Sequence, residues 1–160
     1  MILIGLGSNL PSCGGDSRET ILAALKELDR DGLRVLQVSR LWKTAPVPVS
    51  DQPWFFNAAA EIETSLTPEV LLARLHEIEA MFGRERWELN AARTLDLDLL
   101  DYHGLQQAGP PALPHPRLHE RAFVLLPLQD IAPDWQHPVS GTSLAMMLGR
   151  IPPEQLAEPA

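Results

Sequence analysis

Cysteine is almost absent. Cys13 stands alone in 160 residues, so no internal disulfide can form and no zinc framework is available. Lysine is nearly as scarce: eleven of the thirteen basic residues are arginine, against 21 acids, for a net charge of −8. Proteins that bind nucleic acid usually show a basic face, so that class is disfavoured. No apolar run approaches the roughly 20 residues that span a bilayer. The apolar start from Met1 to Gly7 lacks the basic head and small-residue cleavage pattern of a secretion signal. A cytoplasmic monomer without a membrane or nucleic-acid partner is expected. No G-x-x-x-x-G-K-[ST] occurs, and Gly5-Leu6-Gly7-Ser8-Asn9 fails the dinucleotide pattern because Leu10 stands where its third glycine belongs. That segment reads as a tight turn leaving a strand. Any nucleotide phosphate must then be held by metal and arginine.

What is present supports one domain over residues 1–160, at 45% hydrophobic content, with 151–160 as a loose tail. Residues 2–7 read as a buried strand. Asp16-Ser17-Arg18-Glu19 has the acceptor and acid of a capping box, and Ile21, Leu22, Leu25 and Leu28 follow at helical spacing before Gly32. One strand is expected over 35–44 and another over 55–64, with a proline-bearing loop from Ala45 to Pro53 between them. Thr67-Pro68-Glu69 opens a second helix, whose face carries Leu71, Leu75, Ile78 and Phe82. A strand follows over 94–100, then helical turns near 118–126 and 144–148. The order strand–helix–strand–strand–helix–strand predicts an α+β fold: a ferredoxin-like βαββαβ sheet, helices on one face and a ligand cleft on the other, plus C-terminal helical additions.

Within Arg93-Thr94-Leu95-Asp96-Leu97-Asp98-Leu99, strand alternation puts three leucines on one face and Asp96 and Asp98 on the other. Two carboxylates side by side repel unless a cation lies between them, and magnesium suits that role. An exposed face with two solvated acids is the plain alternative. Phe55 and Asn57 share a face, an aromatic beside an amide that suits a flat heterocycle or a packed strand edge. His115 lies between prolines, and Arg117, Arg121 and Phe123 follow it. Arg84, Arg86, Arg93, Arg117 and Arg121 gather in one stretch of an acidic chain, and guanidinium forks match phosphate oxygens. A phosphohydrolase on the same kind of fold would use the arginines and Asn57 but leaves the aspartates without work. A ligand-sensing domain would make the acids surface and the aromatics core.

The chain resembles 6-hydroxymethyl-7,8-dihydropterin pyrophosphokinases over nearly its whole length. The matching segments are Gly5–Leu10, Thr44-Ala45-Pro46, Asp51-Gln52-Pro53 to Asn57-Ala58-Ala59, Gly83-Arg84, Arg93–Asp98, Pro114-His115-Pro116 and Arg121-Ala122-Phe123. The resemblance implies transfer of diphosphate from ATP to the pterin hydroxymethyl group, giving AMP and the pterin diphosphate on the way to folate. It implies that Asp96 and Asp98 hold two magnesium ions bound with ATP, and that Arg84 and Arg93 are mobile-loop arginines assisting transfer. His115 and Arg121 would contact the triphosphate, with Arg86 and Glu79 as further nucleotide contacts. Asn57 would pair with a pterin ring sandwiched by Phe55 and Phe123. Thr44, Ala45, Pro46 and Val47 would present main-chain groups to it, and Ser8 and Asn9 would line the pocket. The chain departs from the pattern at Leu89-Asn90-Ala91-Ala92, where family members often carry Arg-Trp-Gly-Pro.

Overall fold

Ile2, Ile4 and Leu6 alternate with Leu3, Gly5 and Gly7 along β1 (Ile2–Ser8), and this alternation builds two unlike sheet faces. The computed structural model describes residues 1–83 and 92–160. In it β1 runs antiparallel between β4 (Phe55–Thr64) and β5 (Asp96–Tyr102). β2 (Leu33–Val38) and β3 (Trp42–Thr44) both pair with the other side of β4. The result is the expected split βαβ arrangement.

The first face is mainly apolar. Ile2, Ile4, Leu6, Leu97 and Leu99 pack against α1 (Ser17–Glu27) and α2 (Pro68–Met81), which contribute Ile21, Ala24, Leu71, Leu75 and Ile78. Both helices start where their caps predict. Asp16 accepts from the Glu19 amide at 2.9 Å while Glu19 accepts from the Asp16 amide at 3.2 Å. Thr67 accepts from the Val70 amide at 3.3 Å. Leu22 does not join the helix face as the spacing suggested: it is 50% exposed, and Ala24 takes the buried position.

The second face is shared. Leu3, Ala59 and Leu100 lie under α3 (Ala122–Ile131) and α4 (Leu144–Gly149), whose Val124, Leu125, Leu128, Leu144 and Met147 close a second core. A bulge in β5 makes this possible. Leu3 faces Asp101 but Ile4 faces Leu99, so Leu100 is the extra residue. Leu100 enters the second core, and Asp101 accepts from the Trp135 indole at 2.8 Å.

Three expectations are corrected. The strand foreseen over 35–44 is broken, because Ser39 substitutes its hydroxyl for the ladder, accepting from the Ala59 amide at 2.9 Å. The strand foreseen from residue 94 begins at Asp96. The foreseen loose tail carries β6 (Ala157–Pro159), an edge strand paired with β3 through Thr44↔Ala157 and Trp42↔Pro159. Main-chain pairing holds that segment, which apolar spacing cannot reveal.

Candidate active site

The uncovered end of the second face has a floor of glycine. Asp96, Gly7 and Asn57 are directly opposite one another on β5, β1 and β4, and Asp98 is opposite Gly5 in the next row. Two strand spacings separate Asp96 from Asn57, about 10 Å, a width that admits a flat bicyclic ring over Gly7. A Cβ on Gly7 would lie 2.8 Å from the Asn57 Oδ1, so the glycine lets that oxygen approach the floor. The Asn57 Nδ2 donates to the Thr44 hydroxyl, which fixes the amide with its oxygen toward the cleft. Thr44 is 2% and Asn57 4% exposed, so neither group can exchange this partner for bulk water. Phe55, Phe123, Ala45, Val47, Arg93 and Arg121 complete a narrow slot of about 50 Å³ around the Gly7–Asn57 row. The Gly-Leu-Gly stretch thus lies inside the strand expected over 2–7, and the turn leaving it comes only after Ser8. Glycine repeating with strand period inside an apolar run was the signal.

Next to the slot, Asp96, Asp98, His115, Pro116, Arg117 and Arg121 border an open cavity of about 420 Å³. The His115 Nδ1 accepts from the Arg117 amide at 3.3 Å, so the neutral ring carries its proton on Nε2, 3.9 Å from the Asp98 Oδ1. Burial, aided by the positive charge of Arg121, pushes the His115 pKa down to about 4. At neutral pH the ring is an uncharged donor. Burial also lowers the Arg121 pKa, opposed by Asp98, yet a guanidinium stays charged. It lies over the Phe123 ring, 5.3 Å from its centroid. Arg93 donates to the Asp96 Oδ2 at 2.9 Å.

Asn9 brackets the site rather than lining it. Its Nδ2 donates to the Gln52 side chain at 2.8 Å and the Pro53 carbonyl at 2.9 Å, and its Oδ1 accepts from the Arg93 amide at 2.7 Å. Both its donor hydrogens and its carbonyl oxygen go to joining three chain segments. Ser8 follows Gly7 on the strand, so its side chain turns to the opposite face, where it is fully buried and donates to the Leu10 carbonyl. Glu79 is also fully buried, on the helix-covered face, and accepts from the Leu97 amide at 2.8 Å. It braces the strand that carries both aspartates, and its helix also lends Leu72 and His76 to the border of the 420 Å³ cavity. Pro46 is buried between Ala45 and the half-buried Val47. Arg84 and Arg86 lie outside the described residues.

The donors fit magnesium. Asp96 and Asp98 offer hard oxygens from one strand face, and no group of three or more histidine, cysteine or carboxylate side chains forms a metal cage among the described residues. Two carboxylates suit a cation that takes its remaining ligands from phosphate and water.

Residues 3–133 match the family model described as 7,8-dihydro-6-hydroxymethylpterin-pyrophosphokinase (HPPK). The chain is 40% identical over 152 residues to the 2-amino-4-hydroxy-6-hydroxymethyldihydropteridine pyrophosphokinase of Methylorubrum extorquens, covering 94% of this chain and 92% of that one. It is 41% identical over 154 residues to the Pseudomonas aeruginosa protein of the same name, covering 94% and 91%. It is also 40% identical to the folic acid synthesis protein fol1 of Pneumocystis carinii, but spans only 20% of that protein's length. Among solved structures, Plasmodium falciparum HPPK-DHPS with SDX-DHP superposes with a TM-score of 0.67 over 93% of this chain and 43% of that one. Its 14% identity speaks for the fold alone. The chain belongs to the 7,8-dihydro-6-hydroxymethylpterin-pyrophosphokinase family.

Proposed function

We infer that the chain transfers the terminal diphosphate of ATP to the hydroxymethyl oxygen of 6-hydroxymethyl-7,8-dihydropterin, releasing AMP, a step of folate biosynthesis. The observation that carries this reading is the Asp96–Gly7–Asn57 row. It places a ring-orienting amide and a carboxylate that suits a metal on one floor, two strands apart.

In this reading the pterin enters the slot between Phe55 and Phe123. The Asn57 Oδ1, held by Thr44, accepts from the donor edge of the ring, and main-chain groups of Thr44 to Val47 line the rest. That orientation aims the hydroxymethyl group along the floor toward Asp96 and Asp98. The triphosphate lies in the neighbouring cavity, where Arg121 and neutral His115 donate to its oxygens. Arg93 is anchored through its backbone by Asn9, so its side chain alone moves between the Asp96 carboxylate and a phosphate. Arg84 and Arg86 are assigned to the nucleotide by resemblance. Asp96 and Asp98 would hold magnesium, as two ions with ATP, which would neutralise phosphate charge and lower the pKa of the attacking hydroxyl. The chain itself then contributes positioning and fixed charge, which dominate phosphoryl transfer, and no side-chain base is required.

Separating the nucleotides after one turnover with ATP, magnesium and the pterin tests the reading. AMP is expected, in amounts equal to the pterin consumed. ADP as the product overturns diphosphate transfer, and phosphate released without pterin makes the chain a hydrolase.

A further inference from the structure

Nine of the eleven arginines are described, and their distribution is uneven. Arg30, Arg34, Arg40, Arg74 and Arg93 each meet a carboxylate at 2.9–3.8 Å. Among the described residues Arg18, Arg117, Arg121 and Arg150 meet none. Three of these four line one cavity of about 590 Å³, which shares Val47 and Arg121 with the substrate slot and is larger than it. Arg117 and Arg150 are exposed and Arg121 is half-buried with Asp98 as its nearest opposing charge, so the three guanidiniums face one open space with no carboxylate in direct contact. Among the described residues Glu120 is the sole acid on the lining, and it faces His119 at 3.4 Å.

The remaining lining has two characters. Val47, Pro48, Met147 and Pro152 offer apolar surface. His137 offers a fixed donor: its Nδ1 accepts from the amides of Val139 and Ser140 at 3.2 and 3.4 Å, which leaves the proton of the neutral ring on Nε2. Edge contacts with Trp135 and His119 hold the ring in place. Burial, and then the neighbouring His119, lower its pKa and favour that neutral form. The volume falls within the usual range for small organic ligands, and guanidinium forks match carboxylate and phosphate equally well.

We propose that this cavity is a second ligand site, taking an organic oxyanion whose carboxylate or phosphate head meets Arg117, Arg121 and Arg150 and whose apolar body packs on Val47, Pro48 and Met147. Arg121 and Val47 also wall the substrate slot. An occupant therefore competes for the guanidinium that faces Asp98, and occupancy of either site weakens the other by the same factor. The site lies beyond the diphosphate-transfer reading and does not depend on it.

Phenyl phosphate and benzoate are suitable probes, titrated calorimetrically into the full chain. Inorganic phosphate tests the head alone and benzyl alcohol the body alone. Arg150 is exposed and remote from the slot, so R150Q should keep its melting temperature and its turnover with ATP and pterin. Loss of one charge-assisted contact should weaken binding of the probe by about tenfold. The probe should also lower ATP affinity in the wild type and do so less in R150Q. Equal probe affinity in R150Q and the wild type overturns the proposal. So does a failure of both aryl probes to bind more tightly than inorganic phosphate and benzyl alcohol.

Discussion

The two ends of the second sheet face are made by the same three strands and serve opposite purposes. At one end Leu3, Ala59 and Leu100 meet α3 and α4 and are excluded from water. At the other, the same strands present Gly5, Gly7, Asn57, Asp96 and Asp98. The switch takes place within two residues on β1, between Leu3 and Gly5. Helices cover a sheet only where burying apolar area repays their ordering, so a polar stretch of strand is enough to keep them away. The cleft is thus not an added feature. It is the part of the face whose side chains cannot form a core.

The sharpest way to break this comparison is to remove the acids. Asp98→Ala should lose turnover by at least about a hundredfold, as removal of a charge-stabilising group in an active site does. Its melting temperature should stay close to the wild type, because half-exposed surface substitutions change stability by about half a kcal/mol or less. Asp96→Ala should behave likewise in turnover, and it additionally frees Arg93 from its 2.9 Å partner. Thermal melts beside single-turnover AMP formation separate the two readouts. A folded Asp98→Ala protein with near-normal turnover removes that carboxylate from the mechanism.

The apolar end should respond in the opposite sense. Leu125→Ala empties a fully buried position between α3 and the sheet. It should cost about 2–5 kcal/mol of stability while leaving the Michaelis constants for ATP and pterin unchanged at temperatures where the variant is folded. Denaturant melts and steady-state kinetics on one preparation measure both. If Leu125→Ala raised the pterin constant selectively, the two ends would be coupled, and the core would have to be counted as part of the site.

Asn57→Ala probes the boundary between the ends. The amide donates to Thr44 and directs its oxygen at the cleft. Its loss leaves a buried hydroxyl and the bound ring short of partners, at about 1–3 kcal/mol. Pterin affinity should fall by the corresponding factor while ATP affinity holds. Titrating each ligand separately decides it, and a parallel fall in ATP affinity would reassign Asn57 to the fold.

Much of this division is legible in the amino-acid order, and the limit is physical. Strand alternation is local, so the opposition of Leu95, Leu97 and Leu99 to Asp96 and Asp98 can be read directly, as can the shared face of Phe55 and Asn57. Helix starts at Asp16 and Thr67 are equally local, because a cap needs only four consecutive residues. The bulge at Leu100 is not local: it reflects the fit of β5 to β1 and to Trp135. Nor is the placement of Glu79, whose helical phase marks it as buried but not on which side of the sheet. Gly5 and Gly7 can be read as strand, but only their pairing partners show them to be the floor of a cleft.

Those two glycines give the finest test, because they lie on one strand and face the same cleft. A Cβ on Gly7 would come within 2.8 Å of the Asn57 Oδ1 and 3.7 Å of the Phe55 ring. The amide cannot retreat without giving up its bond to the Thr44 hydroxyl. Gly7→Ala should therefore weaken pterin binding by about fivefold, close to the cost of one displaced hydrogen bond. Gly5→Ala is the control. Its Cβ would meet the Leu100 methyl groups at 3.5 Å, an ordinary contact with the apolar end. Replacing glycine within a strand also removes some entropy of the unfolded chain, so Gly5→Ala should be neutral or slightly stabilising. Its turnover should be unchanged. Paired measurements of melting temperature and pterin affinity distinguish two accounts. If only Gly7→Ala loses affinity, the floor works by giving the Asn57 oxygen room. If both lose it equally, bare floor along the whole Gly5–Gly7 stretch is what the ligand needs, and the amide's position is secondary.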